Sequence, residues 1–292
     1  MNLNAMIFNG NTPRGTRGRT AGKAVMMLIL ILFSAVQMFP LIWLTNFSFA
    51  TNTEIFSSSS LLIRPAAIRY DNYSKAFTDG NFMLYFRNSL LVNTLAVLLV
   101  LAISIMAAYA CSRMRWKFSG LVKNILLLGM MIPIHATLLP NYVIYDALRV
   151  TDTMWALLIP YVAFSMPQGV FLVSGFMSSI PHEIEEAAII DGCGIFEMIA
   201  VIITPMLKPS LVTVSIMTYL NNWNEFMMAM TYLRSKTWRT LPFSILEFTG
   251  QYMSNFGAQF AVMALTALPA VVVYIILNRH ITKGVALGAV KG

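Results

Sequence analysis

The sequence predicts an all-α integral membrane protein with six transmembrane helices and both termini in the cytoplasm. Of its 292 residues, 58% are hydrophobic and only 11% are charged, whereas a soluble domain carries about 25% charged residues. The few charged residues are separated by apolar runs long enough for the roughly 20 residues that a helix needs to cross a bilayer. These runs are continuous and do not alternate with polar residues, which excludes membrane β-strands.

Six gaps between charged residues define the predicted helices in chain order. The first holds the apolar run 24–44. This run exceeds the length of a signal-peptide core, so we expect a retained anchor and not a cleaved leader. The other gaps lie between Arg87 and Arg113, Lys123 and Asp146, Asp152 and Glu183, Lys208 and Arg234 (interrupted only by Glu225), and Glu247 and Arg279. Four prolines lie within or near these gaps: Pro133, Pro160, Pro167 and Pro269. Each is expected either to kink its helix or to have no particular role, because membrane helices generally tolerate proline.

The distribution of Lys and Arg predicts the orientation. The loops on the side of the N-terminus carry more basic residues than the others, and the short loop Arg113–Lys123 is the clearest case. Residues 1–23 are expected to form a flexible basic cytoplasmic tail, residues 24–279 a transmembrane domain, and residues 280–292 a second cytoplasmic tail. Membrane orientation therefore accounts for most of the net charge of +8, and we expect no nucleic-acid partner.

The chain shows no catalytic or metal-binding pattern. Its three histidines are far apart in sequence, and the two cysteines exclude a disulfide framework. The segment 18–24 resembles a phosphate-binding loop, but it is one residue short between its glycines and ends in Ala24. It cannot supply the hydroxyl that binds magnesium. We therefore expect no ATPase site and no cofactor in this chain.

An acidic stretch stands out on the basic cytoplasmic side. Residues 180–194 contain Pro181 followed by three glutamates, which favour the first turn of a helix, and two glycines that can end it in a tight turn. Such a short surface helix could bind in a cleft of another protein or could simply return the chain to the membrane. The residues alone leave both interpretations open.

The same stretch resembles the EAA loop of permease subunits of ABC importers. Glu186-Ala187-Ala188 is followed after three residues by Gly192, and then by Ile202 and Pro205, with Thr204 in place of the usual leucine. Asn88-Ser89-Leu90, Ala107–Ala110 and Met131-Ile132-Pro133 are also similar to this family. The last five residues resemble the C-terminus of maltose-type sugar permeases: Gly288, Ala289, Val290, Lys291 and Gly292.

This resemblance implies a set of partners. A second homologous permease would complete the membrane path, two cytosolic ATPase subunits would bind ATP and magnesium, and an extracytoplasmic solute-binding protein would deliver a carbohydrate. The coupling loop 180–205 would place a short helix, between transmembrane helices 4 and 5, in a groove of an ATPase. The residues that it assigns to coupling are Glu186, Ala187, Ala188, Asp191 and Gly192. The C-terminal residues 288–292 would reach between the ATPases.

A polar cluster near the end of the fifth predicted helix is the candidate substrate pathway: Asn221, Asn222, Trp223, Asn224 and Glu225. Amides and carboxylates bind sugar hydroxyls, and Trp can stack on a sugar face. The alternative is a structural patch that holds neighbouring helices together. The resemblance also places loop 234–255 near the binding protein.

We therefore expect a permease of an ATP-driven sugar importer in a bacterial cytoplasmic membrane. The alternatives are an importer of glycerol phosphate or another non-sugar solute, and an ion-coupled secondary transporter. The scarcity of ionisable residues within the apolar runs argues against the second.

Overall fold

The chain is helical throughout the part that the structure describes. The computed structural model covers residues 17–57, 62, 68–250 and 254–289, with side chains described from Gly22 to Ile276, and these residues contain no strand. The α-helices are α1 (Arg17–Phe47), α2 (Asn52–Ser57), α3 (Asp71–Thr78), α4 (Phe82–Ser112), α5 (Ser119–Leu128), α6 (Leu138–Ala147), α7 (Trp155–Met177), α8 (Glu183–Ile190), α9 (Ile195–Glu197), α10 (Thr204–Met206), α11 (Lys208–Trp223), α12 (Met227–Tyr232) and α13 (Phe256–Ala289). Three 3-10 segments (Gly129–Met131, Ile134–Thr137, Leu241–Phe248) and one π-helical turn (Met198–Ile203) connect them.

Four described helices are long and apolar enough to cross a membrane unbroken. They contain the spans Gly22–Phe47, Phe82–Ser112, Trp155–Met177 and Phe256–Ile276. Two further spans exist only if each of two bent pairs counts as one: Ser119–Met131 with Ile134–Ala147, bent by 93°, and Ile195–Met206 with Lys208–Trp223, bent by 80°. The described residues therefore hold four to six candidate spans, and the predicted count of six requires both bent pairs to count as single spans.

Proline accounts for the first break and stands in the first turn of the helix that follows the second. Ile132 and Pro133 are extended, with ψ of 118° and 117°. The ring of Pro133 explains the first of these, because it disfavours a helical conformation in the residue before it. The second break lies at Leu207, and Pro209 stands in the first turn of α11, where its missing N–H costs nothing. Pro160 and Pro167, by contrast, lie inside the uninterrupted α7, and Pro269 lies inside α13.

The bundle is built around the close packing of α4 against α7. A Cβ atom on Gly169 of α7 would collide with the Ser104 hydroxyl and approach Val100 to 3.3 Å, so glycine allows the two backbones to approach closely. In α1, by contrast, every side chain from Gly22 to Ile42 is exposed. This helix touches the bundle through Trp43 and Phe47, whose rings pack on Phe260 of α13. Its apolar surface suits lipid or another protein within the membrane.

Candidate functional site

Helix α8 ends in a glycine turn that its sequence requires. The N–H of Gly192 donates to Ile189 O at 3.0 Å, and the N–H of Cys193 donates to Ala188 O at 2.9 Å, which together form a Schellman motif. Gly192 has φ +82°, in the left-handed region that glycine adopts at least cost. Gly194 has φ −72° and needs no such freedom. The turn thus depends on Gly192 and fixes the direction of the chain after α8.

One side of α8 is exposed and apolar. Glu186 and Ala187 are exposed, whereas Ala188 is buried in the bundle. Ile190 is 84% exposed, and Phe196, just beyond the glycine turn, is 79% exposed. We call the surface formed by Ile189, Ile190, Ile195 and Phe196 the α8 apolar patch. Large apolar side chains so exposed beside charged residues are typical of a protein interaction site.

The other side of α8 is anchored by a buried ion pair that the sequence did not reveal. Nε of Arg113 lies 3.2 Å from Oε1 of Glu185, and the two side chains are 3% and 10% exposed. Arg113 also donates to the backbone oxygens of Met177 and, at 2.6 Å, Ile180. It approaches Nδ1 of His182 at 2.9 Å. In the sequence Arg113 and Glu185 look like ordinary surface charges, because nothing in the pattern indicates that they meet.

The predicted substrate-pathway segment divides between a cavity and the core. A cavity of about 480 Å³ is lined by polar groups that include Asn221, Asn222, Asn224 and Glu225. His135, Tyr161, Ser165 and Gln168 add polar groups from the first broken span and from α7. Trp223 lies in the core with 1% exposure, and its indole N–H donates to Thr266 O at 3.1 Å. Four of the five predicted residues therefore share one cavity, and Trp223 packs behind it.

Glu225 also has a local structural role. Its carboxylate accepts hydrogen bonds from the backbone N–H groups of Met228 at 2.6 Å and Ala229 at 3.3 Å. Backbone N–H groups in the first turn of a helix have no partner within the helix. A carboxylate that accepts from them stabilises the start of α12. Tyr161 donates its hydroxyl to Oε2 at 3.1 Å. Glu225 thus lines the cavity and also joins α7 to α12, and the choice between a substrate pathway and a structural patch stays a prediction.

The segment 234–250 is fastened to the opposite end of α4. The side chain of Asn88 donates to the oxygens of Thr237 and Arg239 at 2.8 and 3.0 Å. Glu247 binds Lys236 at 2.6 Å and Arg239 at 3.2 Å. Burial would raise the pKa of Glu247, but hydrogen bonds from Lys236 and Tyr85, with the two positive charges, lower it below the ordinary 4.5. The segment is therefore held in a defined conformation, and its carboxylate Glu247 is paired with two cations.

Comparison with known proteins places this architecture in a family. The model of the family described as binding-protein-dependent transport system inner membrane component matches residues 100–287. The chain belongs to this family. The family predicted from the EAA motif is therefore confirmed. The matched region of this permease includes α8, the residues that line the cavity and the segment 234–250.

Relatives align with this permease along nearly its whole length. It is 38% identical to a putative ABC transporter permease protein of Caldicellulosiruptor, over 91% of this chain and 96% of the relative. It is 31% identical to a diacetylchitobiose uptake system permease protein of Streptomyces coelicolor, over 92% of this chain and 89% of the relative. It is 30% identical to a trehalose/maltose transport system permease protein of Thermococcus litoralis, over 92% of this chain and 98% of the relative.

Solved structures agree on the fold. A chain of a bacterial ABC transporter involved in the import of the acidic polysaccharide alginate matches with a TM-score of 0.78 at 21% identity, over 92% of this permease and 99% of that chain. A chain of a methionine ABC transporter in an inward-facing conformation matches with a TM-score of 0.53 at 14% identity, over 70% of this permease and 94% of that chain. At these identities the likeness concerns the fold alone.

Three further predictions concern residues that the structure describes only in part. Among those residues, no group of three or more His, Cys, Asp or Glu could hold a metal ion. The backbone of Gly288 and Ala289 continues α13, whereas Val290, Lys291 and Gly292 lie outside the described residues. The basic tail 1–23 lies largely outside them as well.

Proposed function

We propose that this chain is the membrane-spanning subunit of an ATP-driven importer that moves a sugar or oligosaccharide across the cytoplasmic membrane. The observation that carries the proposal is the alignment, over 92% of the chain, with permeases named for the uptake of diacetylchitobiose and of trehalose and maltose. The sugars in these names are neutral, and they present many hydroxyl groups and no phosphate.

The chemistry of the cavity supports a neutral cargo. Amides, hydroxyls, one carboxylate and the imidazole of His135 line it together with apolar side chains, and its described lining contains neither Lys nor Arg. Such groups can donate to and accept from sugar hydroxyls. A phosphate ester would normally be held by Arg or Lys. We therefore favour a sugar over glycerol phosphate, although a relative named for sulfoquinovosyl glycerol, 28% identical, keeps an anionic glycoside as the second candidate.

Helix α8 is our candidate for the contact with the ATPase. Glu186, Ala187 and the α8 apolar patch point away from the bundle, while Ala188 packs into it. In this assignment Glu186 pairs with a basic residue of the ATPase, and the small Ala187 allows close approach. Asp191 and Gly192 fix the turn that leads toward α11. ATP binding would then favour one of two conformations of the membrane domain, and hydrolysis the other.

The remaining partners follow from this arrangement. The α8 end faces the cytoplasm, so both termini are cytoplasmic and the segment 234–250 faces outward, where a solute-binding protein would dock. A second, homologous permease would complete the path for the solute, and two separate ATPase subunits would bind ATP and magnesium. Within the cavity, Asn221, Asn224 and Glu225 are our strongest candidates for contacts with the substrate.

The test is to reconstitute this chain with its partner permease, ATPase and binding protein in liposomes. ATP hydrolysis and uptake are measured for neutral mono- and oligosaccharides, glycerol 3-phosphate and methionine. We expect a neutral sugar to stimulate both, and Asn221→Ala to reduce the response to that sugar. Stimulation by glycerol 3-phosphate or methionine alone would overturn the substrate assignment.

A further inference from the structure

The buried contact between Arg113 and Glu185 links the end of α4 with α7 and α8, which lie far from it in sequence. Arg113 directly follows α4, Met177 is the last residue of α7, and Glu185 lies in the first turn of α8. One guanidinium group reaches all three helix ends. We call Arg113, Glu185 and Tyr109 the α8 clamp, because Tyr109 of α4 donates its hydroxyl to the second carboxylate oxygen of Glu185 at 3.2 Å.

The geometry makes the clamp a rigid connection. A guanidinium group presents its donors in a fixed plane, so several simultaneous hydrogen bonds restrict its orientation. Here it forms an ion pair with a carboxylate and donates to two backbone oxygens, those of Met177 and Ile180. Both charged side chains are at least nine-tenths buried, so water and salt do not compete as they do at an exposed ion pair.

The apolar surroundings reinforce the same connection. Around the clamp, one cluster of buried side chains includes Ala108 and Tyr109 of α4, Met177 of α7, Ala188 of α8 and Val214 of α11. Beyond the clamp, the chain after α8 runs through the glycine turn, a π-helical turn and the 80° bend before it enters α11. The covalent route to α11 therefore passes several bends, whereas the clamp reaches α4 directly.

We propose that Arg113 and Glu185 are positioning residues through which a displacement of α8 is transmitted to α4, so that α4, α7 and α8 move as one body. This inference rests on the proposed role of α8 as the contact with the ATPase. The motif residues Glu186, Ala187 and Gly192 account for docking and for the turn. The clamp adds a path by which movement of α8 reaches the helices that form the core of the bundle.

The test uses the complete complex in lipid nanodiscs, with ATP and orthovanadate added to trap the ATP-bound state. Hydrogen–deuterium exchange is measured for two peptides, residues 183–192 in α8 and residues 105–113 at the end of α4. In the unmodified complex we expect trapping to change exchange in both peptides. In Glu185→Gln, which keeps the shape of the side chain, we expect the response at 183–192 to remain and the response at 105–113 to fall about fivefold or more.

Glu183→Gln is the matched control, because Glu183 lies in the same turn, is exposed and undergoes the same chemical change. It should leave both responses unchanged. Tyr109→Phe removes a single hydrogen bond from the clamp, so it should reduce the response at 105–113 to a smaller extent and guards against misfolding in the stronger variant.

Two results would overturn the inference. If residues 105–113 respond equally in Glu185→Gln and in the unmodified complex, the clamp does not transmit the movement, and the role of α8 in docking stands. If residues 183–192 do not respond to trapping even in the unmodified complex, the proposed contact with the ATPase fails, and the transmission route fails with it.

Discussion

The glycine turn after α8 allows a prediction whose magnitude follows from backbone geometry alone. A Cβ atom on Gly192 would meet nothing within 4 Å, so Gly192→Ala introduces no clash and no lost contact. Its cost is that of holding a non-glycine residue in the left-handed conformation, ~1–2 kcal/mol. That energy corresponds to a roughly 5- to 30-fold shift of the equilibrium away from the observed turn.

The assay is ATP-driven uptake by the complete complex in liposomes, with insertion checked separately. We expect uptake to fall in the order Gly, Asn, Ala, because Asn tolerates the left-handed region better than Ala. Gly192→Asp should fall below Asn, since it also places a second negative charge beside Asp191. Gly194→Ala is the control, because Gly194 has φ −72° and equally open surroundings.

Two outcomes would refute the reasoning about the turn. The first is normal uptake by Gly192→Ala at normal protein levels. The second is a loss in Gly194→Ala as large as that in Gly192→Ala, which would show that the loop needs flexible or small residues in general and not one residue with positive φ.

Three more predictions follow from other parts of the molecule. Gly169→Ala should lower stability by ~1–3 kcal/mol in thermal unfolding, because its Cβ would collide with Ser104. Gly175→Ala in the same helix is the control and should leave stability unchanged, because its Cβ meets open space. Equal effects of the two substitutions would exclude packing as the cause. Because the pKa of Glu247 is lowered, its pairing stabilises the fold above the ordinary pKa and is lost as pH falls through the lowered value. The unmodified chain should therefore lose about 1 kcal/mol in acid that Glu247→Gln does not lose, and identical acid titrations would refute this. Deleting residues 288–292 should reduce transport-linked ATP hydrolysis in liposomes, and unchanged hydrolysis would mean that this tail has no part in coupling.

The features that the sequence predicted correctly are those that depend on local chemistry. Apolar runs located the helices, because a bilayer imposes length and hydrophobicity on each segment separately. The EAA motif identified the family from a few residues at fixed spacing. Gly192 was expected at a turn, and the structure gives it a positive φ.

The features that the sequence did not predict depend on contacts between distant segments. The Arg113–Glu185 pair joins residues more than 70 positions apart, and neither residue differs in pattern from an exposed charge. Trp223 looked like a platform for a sugar, yet its indole faces Thr266 of α13. The predicted third helix is broken because Pro133 acts on the backbone of Ile132, and an apolar run gives no measure of how sharply such a break bends.

The first break and the junction between α11 and α12 have a consequence for how a solute can be held. Ile134 and His135, beside the first break, and the end of α11 with the start of α12 all border the cavity. A broken helix exposes backbone donors and acceptors at membrane depth, and these can form hydrogen bonds without adding a charged side chain. Glu225, the one carboxylate there, already serves the backbone of α12. Affinity for the cargo should then depend on the directions of hydrogen bonds and change little with ionic strength, unlike recognition of an anion by Lys or Arg.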